Sequence, residues 1–415
     1  MSRSKKVYDV IGIGVGPFNL GLAALCHSLP ELNCLFLDSN DSFNWHPGMM
    51  LPGTRLQVPF YADLVTLADP CSKFSYMAFL KSKMRMFRFA IQENYCIKRT
   101  EYNEYCRWVA QQLSSLRFGT TCINIEKENE IYKVTTNNGS LLTHKIVLGT
   151  GTVPFVPAFA KSLNKFIFHS SDYLYKKEML QNLESITIVG SGQSAAEIFY
   201  DLMQCHNGKL YWFTRSKRFF PMDYSKLTLE MSTPDYIDYF YSLPERKKQE
   251  VLDSQDSLYK GINHSLISDV YDLLAEKDSP NIQLHTNCDL RKISDGLSLT
   301  FHHTELEKIF VHKTSAVILA TGYHAVFPEC IKPLHPYIRL NNEEKYKANL
   351  NYSIDEHNSI FIQNAEHPTH GFTASDLSLG PYRNAVIINT ILGYEHFTIE
   401  NNITLQNFGL PSICQ

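Results

Sequence analysis

The chain has 415 residues, 44% of them hydrophobic and 20% charged, with a formal charge of −3. That length predicts two or three domains with sizeable cores, and the composition excludes disorder and collagen-like repeats. Near-balanced charge argues against a nucleic-acid groove or an anionic membrane surface as the main partner, which leaves a small molecule.

The ten cysteines (Cys26, Cys34, Cys71, Cys96, Cys106, Cys122, Cys205, Cys288, Cys330, Cys414) are scattered without a C-x-x-C pair. They read as reduced, mostly buried residues of a cytoplasmic protein, and no metal site is implied. The segment MSRSKKVYDV runs into a strand without the apolar core of a signal peptide, and no stretch reaches the about 18 apolar residues of a membrane span.

In chain order, Val7 to Ile13 is predicted as a strand, GIGVGP as a phosphate loop, and Phe18 to Leu29 as a helix. Asn33 to Leu37 is a second strand ending on Asp38. Phe79 to Leu116 reads as largely helical, while Glu126 to Thr136 and Lys145 to Gly149 read as β structure. Pro154 and Pro157 mark a crossing between domains. A second βαβ unit begins at Ile186 with ITIVG, then GSGQSAAE, a helix through Ile198, Leu202 and Met203, and a strand from Leu210 to Phe213. Leu227 to Leu274 reads as a helical excursion, Ala316 to Tyr323 as a buried strand, Ile360 to Ile362 as another, and Leu379 to Leu392 as a helix. The expected fold is α/β, with two Rossmann-like dinucleotide-binding domains, the second inserted in the first. The first would occupy 1–160 and 319–415, and the second 161–318.

Gly12, Gly14 and Gly16 allow a tight turn whose backbone approaches a pyrophosphate, with a helix N-terminus aimed at the anion. Pro17 stands where a third glycine is usual, and Asp38 lies 22 residues after Gly16, where an acid would accept from a ribose. A plain strand-to-helix turn without ligand is the bland alternative. In the second unit, Gly190, Gly192 and Ala195 form the loop, and Thr214-Arg215-Ser216-Lys217-Arg218 follows the partner strand. Basic residues there suit the 2′-phosphate of NADPH; otherwise they are a solvated turn. Two nucleotide sites in one chain suggest a flavin and a nicotinamide facing each other, and the missing dithiol motif leaves oxygen as the electron acceptor.

Several longer motifs are more specific: GIGVGPFNLGLAAL, FNWHPGMMLPG, LQVPFYADLVTLADP, GTGTVPFVP, HSSDY, GSGQSAAE, LATGY and THGFTASDLSLGPYR. In this order they resemble the microbial N-hydroxylating flavin monooxygenases of siderophore biosynthesis, the lysine and ornithine N-monooxygenases, over essentially the whole chain. Leu163 and Lys165 stand where the broader flavin monooxygenase fingerprint has Phe and Gly.

The resemblance implies FAD and NADPH as cofactors and a small amine and O2 as substrates. It assigns Gly12, Gly14, Gly16, Pro17, Phe18 and Asn19 to the FAD pyrophosphate, and Asp38 to the ribose. It sets Trp45, His46 and Gln57 beside the flavin and Ser375, Asp376 and Leu377 over its ring. Ser191, Gly192, Gln193, Ser194 and Arg215 would bind NADPH, and Ser378 would face the amine. Trp45 alone would read as core, His46 as a loop histidine and Ser378 as a helix cap. The implied chemistry is capture of oxygen as a flavin C4a-hydroperoxide attacked by a neutral amine, with no acid/base triad. The family further implies a homo-oligomer, a tetramer or dimer.

The chain departs from that family at Ala62, where the amino-acid enzymes carry a lysine facing the substrate carboxylate. Their polar contacts also align loosely with Leu229 and Leu258. An unpaired buried carboxylate is costly, so these changes point to a decarboxylated amine: histamine, putrescine or cadaverine. Tyr61 offers an aromatic wall that tilts the expectation toward histamine. Lysine or ornithine hydroxylation, attack on sulfur or a ketone, and a non-catalytic nucleotide sensor remain the alternatives.

Overall fold

The computed structural model describes residues 6–160 and 164–411; Leu163, Cys414 and residues 1–5 lie outside the described residues. From the N-terminus, β1 (Val7–Ile13), α1 (Pro17–Cys26) and β2 (Cys34–Leu37) are followed by α2 (Tyr76–Ser82), α3 (Met86–Gln92) and α4 (Arg99–Ala110). Next come β3 (Leu116–Arg117), β4 (Cys122–Glu128), β5 (Ile131–Thr136), β6 (Gly139–Leu148) and β7 (Thr152–Pro154). The middle of the chain forms β8 (Ile167–His169), α5 (Tyr173–Leu180), β9 (Ser185–Val189), α6 (Gln193–Cys205) and β10 (Lys209–Phe213). Five helices follow: α7 (Lys226–Leu229), α8 (Pro234–Ser242), α9 (Glu245–Ser254), α10 (Asp256–Tyr259) and α11 (His264–Lys277). Then come β11 (Ile282–His285), β12 (Cys288–Ser294), β13 (Ser298–His303), β14 (Lys308–Lys313), β15 (Ala316–Leu319) and β16 (Tyr323–Ala325). The last elements are β17 (Ile360–Ile362), α12 (His367–His370) and α13 (Gly380–Leu392).

Two parallel-centred sheets organise these elements. The first runs β3-β2-β1-β6-β5-β4, with β17 also paired to β6. β1 lies parallel to both β2 and β6, so the order reverses at its C-terminal end, and there the first glycine loop emerges. Such a reversal opens a crevice for a ligand. The second sheet runs β11-β10-β9-β15-β8, all parallel, with the second glycine loop leaving β9 at the equivalent reversal. Every residue of β9 and β15 is buried, as expected of strands covered on both faces. After building the second sheet the chain returns to the first, where Ile360–Ile362 aligns with Ile146–Leu148. The two connections run side by side, β7 pairing antiparallel with β16. No helix of the described residues is long and apolar enough to cross a membrane.

The structure corrects several sequence expectations. The first helix ends at Cys26 rather than Leu29, because the chain tightens into i→i+3 turns at Ser28 and Leu29 ahead of Pro30. The region from Phe79 to Leu116 is three short helices, broken where Met84 and Glu93 take left-handed conformations, and Leu116 belongs to a strand. The strand predicted through Tyr323 stops at Leu319, since Gly322 turns the backbone with φ of +84° and Tyr323 starts β16. A three-stranded antiparallel sheet, β12-β13-β14, was not foreseen, although Leu299 and Phe301 alternate with polar residues. The helical excursion is realised as α7 to α11, the crossover between β10 and β11.

Candidate active site

A cavity of about 3110 Å³ extends from the first glycine loop to the second. One drug-sized ligand occupies roughly 300–1,000 Å³, so this space suits two large ligands and a small third. It is lined by Gly14, Gly16, Pro17, Phe18, Asn19, Asp38, Trp45, His46 and Gln57, and by Ser191, Gly192, Gln193, Ser194 and Arg215. Ser375, Asp376, Leu377, Ser378, Tyr61, Leu229 and Leu258 line it too. Gly12 and Ala62 are the two predicted site residues outside that lining. A Cβ at Gly12 would run into the Phe36 ring, so this glycine serves the packing of β1 on β2. Ala62 is 1% exposed and sits behind the wall, while its neighbour Tyr61 reaches the cavity.

The first loop is fixed by its own chain. Gly14 has φ of +86°, and a Cβ there would strike the Gly149 carbonyl. A Cβ at Gly16, by contrast, would meet no protein atom within 4 Å, so the space beside it is free for a ligand. The α1 N-terminus, with Gly16 as cap, has no side-chain partner and presents its backbone donors. Asn19 lines the cavity, and its side-chain amide is tied to the loop and to the returning segment. Nδ2 donates to the Gly14 carbonyl at 2.8 Å, and Oδ1 accepts from Gln363 at 2.7 Å. Asp38 likewise accepts from the Val15 N–H at 2.6 Å and from the Asn40 backbone and side chain at 2.8 Å each. Both residues therefore shape the loop. The second loop is more open: Arg215 is exposed, and the α6 N-terminus at Gly192 also lacks a side-chain cap.

Between the loops, Arg99 of α4 meets Glu197 of α6 at 2.8 Å and lies over the Trp45 ring. Burial raises the Glu197 carboxyl against the opposing pull of Arg99. Gln193 donates to Glu197 at 2.9 Å and accepts the Asn263 N–H at 2.8 Å. Gln57 Nε2 donates to the Gly261 carbonyl at 3.2 Å, tying the segment after β2 to the helical crossover between β10 and β11. His46 has φ of +44°, opens onto the cleft, and packs edge-on against Trp45 and Tyr323. Although the residue is exposed to the open cleft, desolvation beside the cleft walls, then Arg99, pushes its imidazole down to about 4.

At the far end, Asp376 lies close enough to Tyr61 to help raise its phenol, after burial. Asp376 also accepts the Ser378 N–H at 2.9 Å and its hydroxyl at 2.7 Å, so Asp376 caps the short turn that carries Ser378. Leu229 and Leu258 sit on the four-residue helices α7 and α10.

Residues 6–325 match the L-lysine 6-monooxygenase/L-ornithine 5-monooxygenase family. A putrescine N-hydroxylase from Shewanella oneidensis is 46% identical, covering 97% of this chain and 84% of that protein. The chain belongs to this N-monooxygenase family. A second putrescine N-hydroxylase, from Acinetobacter baumannii, is 43% identical over 98% of this chain and 94% of its own length. The FAD-bound structure of the desferrioxamine-pathway cadaverine monooxygenase from Erwinia amylovora superposes with a TM-score of 0.96 at 43% identity, covering 98% and 100% of the two chains.

Several supports of this family member's site escaped the sequence reading. Glu366 and Arg383 form a fully buried ion pair at 2.9 Å, and Arg383 also donates to the Ala374 carbonyl at 2.8 Å, which fixes the segment before Ser375. Arg383 stands in the quoted motif THGFTASDLSLGPYR, but nothing local marks Glu366 as its partner. Cys122 and Cys330, 208 positions apart, both line the cavity and lie close enough for Cys330, ahead of burial, to raise the Cys122 thiol. Spacing alone had suggested no such pair.

Proposed function

We propose that this chain hydroxylates one nitrogen of an aliphatic diamine, putrescine or cadaverine, using FAD in the first nucleotide site and NADPH in the second, for siderophore biosynthesis. The observation that carries the choice of amine is the cavity lining, to which Leu229 and Leu258 bring apolar side chains, from which Ala62 is withdrawn, and where the Asp376 carboxylate lies close to Tyr61. The Asp376 carboxylate favours a cation, and Ala62, Leu229 and Leu258 offer a substrate carboxylate no partner. The relatives named for putrescine and cadaverine support the same reading, and none of those compared favours histamine.

With FAD and NADPH bound, two electrons from NADPH let one atom of O2 enter the N–H bond while the other leaves as water. This chain's residues would do the rest. The α1 and α6 N-termini would hold the two pyrophosphates, and Arg215 the 2′-phosphate. Trp45 and neutral His46 would flank the flavin. The apolar lining would exclude water and favour the uncharged form of the nitrogen that reacts, while the Asp376 carboxylate would face the diamine's other, charged nitrogen. The test is NADPH oxidation, oxygen uptake and hydroxylated product, measured for purified FAD-loaded protein with each amine. Product from a diamine, absent with lysine and ornithine, is expected; higher kcat/KM with either amino acid or with histamine would overturn the assignment.

A further inference from the structure

Helix α7 carries the cavity-lining residue Leu229, yet none of its four residues is buried. So short a helix without a core face does not hold itself in place. A segment far along the chain supplies what is missing. The backbone N–H groups of Leu405 and Gln406 donate to the two carboxylate oxygens of Glu230, at 2.8 and 3.0 Å. The Gln406 side chain donates to Glu230 at 3.0 Å and also to the Leu227 carbonyl inside α7. On α8, Asp235 accepts from the N–H groups of Asn402, Ile403 and Thr404 at 2.9, 2.8 and 2.9 Å. Five consecutive backbone donors thus end on two carboxylates, and such charge-assisted bonds are roughly twice as strong as neutral ones. Phe408 completes the attachment, its ring centroid 5.0 Å from that of Tyr236. Ile403 itself lines the cavity.

We propose that residues 402–408 are a strap that keeps α7, and with it Leu229, in place as a wall at the amine end of the cavity, with Glu230 and Asp235 as positioning residues. This placement rests on the amine site proposed above. Two variants release the strap by different routes: the double substitution Glu230→Gln with Asp235→Asn removes the charges, and Phe408→Ala removes the apolar anchor. In the FAD-loaded protein, both should lose hydrogen-exchange protection at 402–406 and 226–230. Both should raise KM for putrescine at least fivefold, with kcat within twofold and KM for NADPH unchanged. Protection retained at 226–230 in the double variant would overturn the strap. Protection lost with KM for putrescine unchanged would overturn its role at the amine. Should the unaltered protein turn over no diamine, the proposed function fails, while the exchange measurement still decides the strap.

Discussion

The two glycine loops have the same plan, strand, turn and helix, but differ in how the rest of the chain treats them. The first is built in: Asn19 and Asp38 are buried and tied to loop backbone, and Gln363 of the returning segment reaches Asn19. The second opens outward, with Arg215 exposed and its helix joined to the first half through Arg99 and Glu197. A site held from all sides suits a resident cofactor, and an open one suits a ligand that comes and goes.

The strongest way to break that contrast is to cut the returning segment loose. Arg383→Leu strands Glu366 in the interior, and a broken buried pair costs ~3–5 kcal/mol, read from the urea midpoint. FAD retention should fall with it. A pair of substitutions sharpens the comparison within the first loop. Gly14→Ala meets both a left-handed φ and the Gly149 carbonyl, and should lose at least ~1–3 kcal/mol of stability. Gly16→Ala meets nothing, so Tm of the FAD-free protein should hold while yellow absorbance no longer co-elutes with the protein. If both variants behave alike, the free space at Gly16 is not the cofactor's.

For the open loop, Arg215→Ala should leave Tm unchanged and cut the preference for NADPH over NADH by about 10- to 100-fold, the worth of one charge-assisted contact of ~1.5–3 kcal/mol. A smaller effect concerns pH. On the returning segment, burial first and Arg383 second hold His367 down to about 4, and burial holds His370 down to about 3. The unfolded chain binds protons at these positions near pH 6.5, so their stabilisation is complete above that pH and is lost as pH falls toward 4. Tm should decline from pH 7 to 5, and His370→Gln should flatten the slope. A slope unchanged in that variant would assign the decline to other groups.

The fold was legible because its signals are local. Both βαβ units show apolar strands, glycine turns and periodic helices within short windows, and the returning strand Ile360–Ile362 stood out as apolar. The site was legible at its glycine loops and motifs, since all but Gly12 and Ala62 of the predicted residues reach the cavity. What escaped reading depends on long-range pairing. Glu366 meets Arg383, Arg99 meets Glu197, and Glu230 meets Leu405, each through contacts that no sequence window contains. Asn19 and Asp38 line the cavity, and the hydrogen bonds that tie them to the loop backbone escaped because they exist only in the folded loop.

The central claim, a diamine N-hydroxylase, is tested most directly by competition. Equal concentrations of putrescine, cadaverine, histamine, lysine and ornithine are incubated with FAD-loaded protein and NADPH, and the products resolved by mass, so that their ratio reads kcat/KM ratios. The account predicts N-hydroxylated putrescine or cadaverine as at least nine-tenths of the product. Hydroxylated lysine, ornithine or histamine in the majority, or NADPH consumed without any hydroxylamine, would contradict it.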